Sequence, residues 1–361
     1  MRVASLLRGT DLARHPSAGI PLLRRPGLGL ALLGAVVVGT PLAPARAEGP
    51  IPIKVATLAP EGTAWIKILR ASLKETEKRL PGRVKFTVYG GGVQGDEKVV
   101  VQKIKTGQLQ GGALTLIGLS SLVPEMTLFN LPMVFSSKAQ VAATQKALSE
   151  RLAEDLWESG FKMVNWGGAG FFYLFSAHPI HHPDDLKKGK VWVWNTDPVF
   201  NEMALEIGAA PIPLGLPDVL SALNTGQVDT VLMNPYALIS LQWFAKMKYQ
   251  LSEPILYAIG GMVIHRSVWE QFTPAEHDIF LEVSKKWERV LSKKSDRDKQ
   301  RSVDFLEGQG VEVITPSTEE LAAWRSVSSR TRKRLVGRVY SEEVLTELLH
   351  YRDLYRTSST P

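Results

Sequence analysis

Residues 189–235 constrain the fold more than any other stretch, because strand-like and helix-like segments alternate there with almost nothing to spare between them. Residues 191–194 (Val-Trp-Val-Trp) read as a strand, and Asp197 with Pro198 opens a helix that Gly208 stops. A short strand near 210–213, a helix over 217–223 closed by Gly226, and a strand over 230–233 follow. An aspartate that accepts from free amides at the N-cap, a proline at the first helical position and a glycine past the end are helix punctuation. Strand alternating with helix predicts βαβ units and a mostly parallel sheet.

The same logic extends along the chain. A strand over 53–58 precedes a helix over 64–79 with apolar residues at Trp65, Ile68, Leu69 and Leu73. A strand over 84–89, a glycine loop over 90–95, a helix over 96–106 and a strand over 112–116 come next. Thr273-Pro274-Ala275-Glu276 is a capping box that opens a long amphipathic helix with Ile279, Phe280, Val283, Trp287, Val290 and Leu291 on its apolar stripe. Residues 311–314 read as a late strand, and residues from Glu319 onward as charged helical material.

The first 47 residues read as a secretory leader: Arg24 and Arg25 precede an apolar run over 28–38, and Ala45-Arg46-Ala47 is a cleavage signal. The leader carries six of the 43 basic and one of the 36 acidic residues, so a formal charge of +7 falls to +2 without it. Near-neutrality gives no electrostatic footprint for nucleic acid. The chain has no cysteine, which excludes disulfides, thiolate metal sites, cysteine nucleophiles and an N-terminal lipid anchor. The expected product is an exported, periplasmic monomer.

Three enzyme-like signals fail on inspection. Gly90–Gly95 satisfies G-x-G-x-x-G, but no acid stands about twenty residues on to hold a ribose, and the loop follows the second strand. It reads as a permissive turn. His178, His181 and His182 cluster beside Asp184 and Asp185, yet in a proline-rich turn where Asp184 is expected to cap a helical turn. No G-x-S-x-G elbow occurs. Neither catalytic residues, nor a metal site, nor a cofactor is expected.

The chain resembles the solute-binding proteins of TRAP (tripartite ATP-independent periplasmic) transporters, of the C4-dicarboxylate-binding type. The resemblance rests on Asp185-Leu186-Lys187, Gly189-Lys190-Val191, residues 208–213 (GAAPIP), residues 222–229 (ALNTGQVD) and Asn234-Pro235, with Gly107, residues 123–125 (VPE) and Leu131-Pro132 upstream. It covers roughly 53–315 and implies a two-lobed α/β periplasmic binding fold. Each lobe would be a mixed, mostly parallel sheet flanked by helices, with a long hinge helix. The implied division is 48–169 with 258–297 in lobe I and 170–257 with 298–361 in lobe II. It also implies delivery of a small molecule to membrane permease subunits.

In that family an arginine two positions after the lysine of the strand binds the substrate carboxylate. Trp192 stands there in this chain. Alternation puts Trp192 and Trp194 on one face of their strand and the valines on the other. A buried carboxylate without a cation costs several kcal/mol, whereas apolar surface gains about 25 cal/mol per Å² on burial. The expectation is therefore a hydrophobic or weakly polar ligand, lipid-like or aromatic, among Trp65, Trp166, Phe171, Phe172, Trp192, Trp194, Leu214, Met233 and Trp243. Asn195, Asp218, Asn234 and Tyr236 would supply the polar contacts. The competing readings are a periplasmic lipid carrier or sensor partner on the same fold and, third, a metal-using enzyme.

Overall fold

Two long strands organise the molecule. In the computed structural model, which describes residues 49–358, the strands are β1 (Ile51–Thr57), β2 (Val84–Tyr89), β3 (Gly111–Thr115), β4 (Phe161–Ser176), β5 (Trp192–Trp194), β6 (Ile212–Leu214), β7 (Thr230–Met233), β8 (Tyr249–Leu251), β9 (Leu256–His265) and β10 (Glu312–Ile314). The leader expected over residues 1–47 lies outside the described residues. Eight strands form one sheet in the order β10-β8-β4-β9-β3-β1-β2, with β7 also paired to β4, and β5 and β6 form a separate pair.

The sheet is mixed. Strands β1, β2 and β3 run parallel, as do β8 with β10 and β5 with β6, which are the pairings that helix crossovers produce. The long strands β4 and β9 run antiparallel to each other and bind both halves of the sheet: β9 pairs with β3, and β4 pairs with β7 and β8. Their pairing is interrupted by irregularities at Met163/Asn165 and Gly168/Gly170, which bend the strands where the two halves meet. Gly260 is required there, since a Cβ on it would lie 2.3 Å from the Leu114 carbonyl oxygen.

Local signals hold closely. The helix Ala64–Arg79 is capped by Thr63, the helix Pro198–Ile207 by Asp197 with Gly208 left-handed at its end, and β7 occupies the expected residues. The capping box at Thr273 opens a helix of 35 residues, Pro274–Gly308, longer than its apolar stripe. One cap differs from expectation: His182, not Asp184, caps the turn Pro183–Lys188, and Asp185 closes the box on the backbone amides of His181 and His182. Asp184 pairs with Lys187 instead.

Separate apolar clusters serve the two halves. One packs β1, β9 and the start of the long helix around Ile53, Val55, Ile264 and Phe280. Another packs β5 and the helix Pro198–Ile207 around Val191, Val193, Phe200 and Met203. Among the described residues no helix is long and apolar enough to cross a membrane.

Candidate functional site

Where β4 and β9 cross between the halves, a cavity of about 220 Å³ opens. Its walls come from the loop after β1 (Leu58, Pro60), the first helix (Trp65, Ile68, Leu69), β4 (Trp166, Phe172), β5 (Trp194), β7 (Met233, Asn234), β9 (Ile259, Met262) and the long helix (Trp287, Glu288, Leu291). A second compartment of about 330 Å³ adjoins it and shares Trp65, Trp166, Asn234, Ile259, Glu288 and Leu291. That compartment adds Lys138, Asp296, Asp298 and Lys299, together with Phe171, Tyr173 and Tyr236.

The smaller compartment is apolar, and among the described residues no lysine or arginine lines it. Its charged groups are Glu97 and Glu288. Glu97 is buried at 1% exposure and accepts from the Thr115 amide, the Thr115 hydroxyl and the Gly118 amide, each at 2.7 Å. Burial pushes its pKa up to about 7 against those three donors. Glu288, on the long helix, is likewise raised by desolvation, with Lys285 and Arg289 pulling the other way.

The indoles are held by bonds that point away from the interior. Trp194 Nε1 donates to both oxygens of Asp96, at 2.9 and 3.1 Å, and Asp96 itself caps the helix Glu97–Lys105. Trp287 Nε1 donates to Glu75 at 2.8 Å. Trp65 packs edge-on against Tyr236, whose hydroxyl accepts from the Ala64 amide at 2.9 Å. Asn234 is 3% exposed, and its Oδ1 caps the next helix through the Ala237 amide at 2.7 Å. Its Nδ2 has no partner among the described residues, although the side chain borders both compartments.

Of the residues singled out from sequence, Trp65, Trp166, Phe172, Trp194, Met233 and Asn234 border the apolar compartment, and Phe171 and Tyr236 the other. Five do not border either. Trp192 is 3% exposed, donates to the Leu214 carbonyl at 3.1 Å and meets Trp243 edge-on at 5.3 Å. Its neighbour Trp194 shares its strand face, with ring centroids 5.8 Å apart. The two tryptophans thus divide the alternatives: Trp192 packs beneath the helix Val219–Thr225 beside Val219, and Trp194 forms wall. Trp243 is core at 1% exposure, Leu214 contributes its carbonyl to Trp192, and Asn195 and Asp218 are exposed. The glycine loop turns through positive φ at Gly91, Gly92 and Gly95 and packs its amides onto Thr57 and Ala59, outside both compartments.

The histidines face different acids, His178 toward Asp229, His181 toward Glu320 and His182 toward Asp184. No metal-holding group of three or more such side chains occurs among the described residues.

Residues 55–337 match DctP, the bacterial extracellular solute-binding proteins of family 7. The chain belongs to this family. These are substrate-binding receptors of the extracytoplasmic space and not enzymes. A solute-binding protein of Chromohalobacter salexigens is 26% identical over 221 residues, 60% of this chain and 65% of that protein, so the match spans just under two thirds of the relative's length. The Escherichia coli K12 protein named 2,3-diketo-L-gulonate-binding periplasmic protein YiaO is 24% identical over 66% of this chain and 73% of that one. Among solved structures, a TRAP periplasmic solute-binding protein from Xanthobacter autotrophicus Py2 with bound β-D-galacturonate superposes with a TM-score of 0.77 at 21% identity, covering 83% of this chain and 99% of that one. The sugar acid binding protein DctPAm from Advenella mimigardefordensis, in complex with galactonate, gives 0.79 at 19% identity, covering 85% and 99%. These likenesses establish the two-lobed fold.

Sequence reasoning missed several wall residues of this DctP-family receptor. Glu97 lies within the helix expected over 96–106 and was not singled out there; the amide and hydroxyl of Thr115, at the end of β3, and the Gly118 amide take it into the interior. Trp287 and Leu291 were visible as an apolar stripe, but the stripe gives no sign that part of it faces a cavity instead of core. Asn165 and Met262 sit at the interruption of β4 and β9, which has no sequence signature of its own.

Proposed function

We propose that this receptor binds a hydrophobic or weakly polar small molecule, aromatic or lipid-like, in the apolar compartment and presents it to the membrane permease subunits of a TRAP-type transporter. The observation that carries the reading is a wall of indoles, Met233, Met262 and leucines with a buried carboxylate in it and, among the described residues, no lysine or arginine. The relatives named for, or solved with, sugar acids bind anions; an anion here would leave water with no cation to meet it and would face Glu97. An apolar body gains from the same walls. Trp192 no longer supports the reading as wall, since it is core; what supports it is the composition of the cavity as a whole.

The division into lobes at 48–169 with 258–297 and 170–257 with 298–361 belongs to the same proposal. Two distinct apolar clusters and the two strands shared between them favour the division up to about residue 335, whereas the C-terminal helix departs from it, since Leu345 and Leu348 cluster with Leu148 and Leu152 and Glu347 pairs with Arg151; closure about such strands is the usual motion of hinged receptors. Mass spectrometry of the natively folded protein tests the ligand class. A co-purifying neutral or lipid-like molecule is expected, and a stoichiometric uronate or dicarboxylate would overturn the reading. Titration with D-galacturonate followed by tryptophan emission gives the complementary result, with no saturable change expected. A periplasmic lipid carrier without a permease shares the cavity and differs in genome neighbourhood, where a TRAP receptor lies beside its membrane subunits.

A further inference from the structure

We infer that the ligand of this cavity carries a positively charged head, a protonated amine or quaternary ammonium, on its apolar body. The inference rests on the apolar-ligand reading above and adds the sign of the charge. Among the described residues Glu97 and Glu288 are the two ionisable groups on the apolar wall, and no lysine or arginine borders that compartment with them; Glu288 also borders the larger compartment, where Lys138 is bound to Asp296 and Lys299 stands on the wall. Burial raises the Glu288 pKa and Lys285 and Arg289, which flank it along its own helix, oppose that rise; neither of the two borders the compartment. Glu288 forms no ion pair or hydrogen bond with another described side chain, in contrast to Lys138 and Asp296 of the neighbouring compartment, which bind each other at 2.8 Å.

Aromatic rings complete the site. Trp65, Trp166, Trp194 and Trp287 border the same compartment as Glu288. With Trp194 and Trp287 anchored through Nε1 to Asp96 and Glu75, those two rings meet the cavity with carbon surface, not with a donor. Rings of negative quadrupole beside an unpaired carboxylate form a cation-recognition environment, in which the aromatic faces take up a cation that has shed water. A second observation points to a ligand in this place: the buried Asn234 Nδ2 is an unspent donor at the junction of the compartments. It suits an ether, hydroxyl or carbonyl oxygen part-way along the ligand. A ligand with a cationic head at Glu288, an apolar body against the indoles and one acceptor at Asn234 would leave none of these groups without a counterpart.

The test uses three probes of one shape and different charge, 2-phenylethylamine, 2-phenylethanol and phenylacetate, titrated into the whole protein by calorimetry. The amine is expected to bind about tenfold tighter than the alcohol, and the acid weakest. Glu288→Gln should remove the preference for amine over alcohol, and Glu288→Arg should shift the preference toward the acid. An amine that binds no tighter than the alcohol, or that binds equally to the Glu288→Gln protein, overturns the inference; if the alcohol still exceeds the acid, the apolar reading stands without it. Phenylacetate binding tightest would overturn both.

Discussion

The two adjoining compartments share a wall but treat charge in opposite ways. In the larger one, both wall aspartates meet a lysine, Asp296 with Lys138 and Asp298 with Lys294, at the edge of the long helix. In the smaller one, carboxylates face indoles and aliphatic side chains, with no lysine or arginine on the wall among the described residues. The difference teaches that the aspartates of the larger compartment are met by lysines, while the carboxylates of the apolar wall are left to act on whatever enters. Uncompensated charge in a low-dielectric space acts strongly on whatever enters, whereas a solvated pair acts weakly.

The largest expected effect lies behind the apolar wall. Trp192→Ala should destabilise the protein by about 3–5 kcal/mol, because it empties a packed site between Trp243 and Trp194. Denaturant unfolding reads this directly. A loss no larger than that of the half-buried Trp194→Ala would break the separation of core from wall.

Next comes the pH dependence of Glu97. Its folded pKa is raised to about 7 from an ordinary 4.5, so the folded state holds the proton more tightly than the unfolded chain. Its contribution to stability is therefore full below about 4.5 and is lost as pH rises through about 7. Against Glu97→Gln, which cannot titrate, the native protein should lose on the order of a few kcal/mol across that window. Paired unfolding curves at several pH values check the sign, and a difference that is flat or rises with pH would mean that the wall behaves like the larger compartment.

Asp96→Ala should follow, at about 1–2 kcal/mol of stability, since it removes both a helix cap and the partner of Trp194. It should also loosen the wall, seen as a red shift and weaker quenching of tryptophan emission. The smallest effect belongs to the larger compartment: Lys138→Ala, which breaks an exposed pair with Asp296, should cost under about 1 kcal/mol. A greater loss there would blur the contrast from the other side.

Much of the fold was legible because its signals are local. Thr63, Asp96, Asp197 and Thr273 each cap the helix that follows them, and β2 and β7 lie where alternation put them. The strands β4 and β9 were not legible as strands. Glycines at 167, 168, 170, 260 and 261 interrupt their pattern, and the reasons are tertiary: Gly260 and Gly261 let backbones approach, Gly168 leaves room for the Tyr257 hydroxyl, and Gly170 turns through positive φ.

The site divides along the same line. The sequence placed aromatic residues near the ends of β4, β5 and β7 and read the shared face of Trp192 and Trp194 correctly, because strand period is intrinsic to the backbone. It could not say that one of the two would be roofed by a helix and Trp243 while the other would meet solvent space, since layer depth depends on partners remote in the chain. Local capping, periodicity and the family motifs came from the sequence by itself. The sign of the cavity's charge came only from tertiary structure, which brought Glu97, Glu288 and four indoles to one surface and kept lysine and arginine side chains off it.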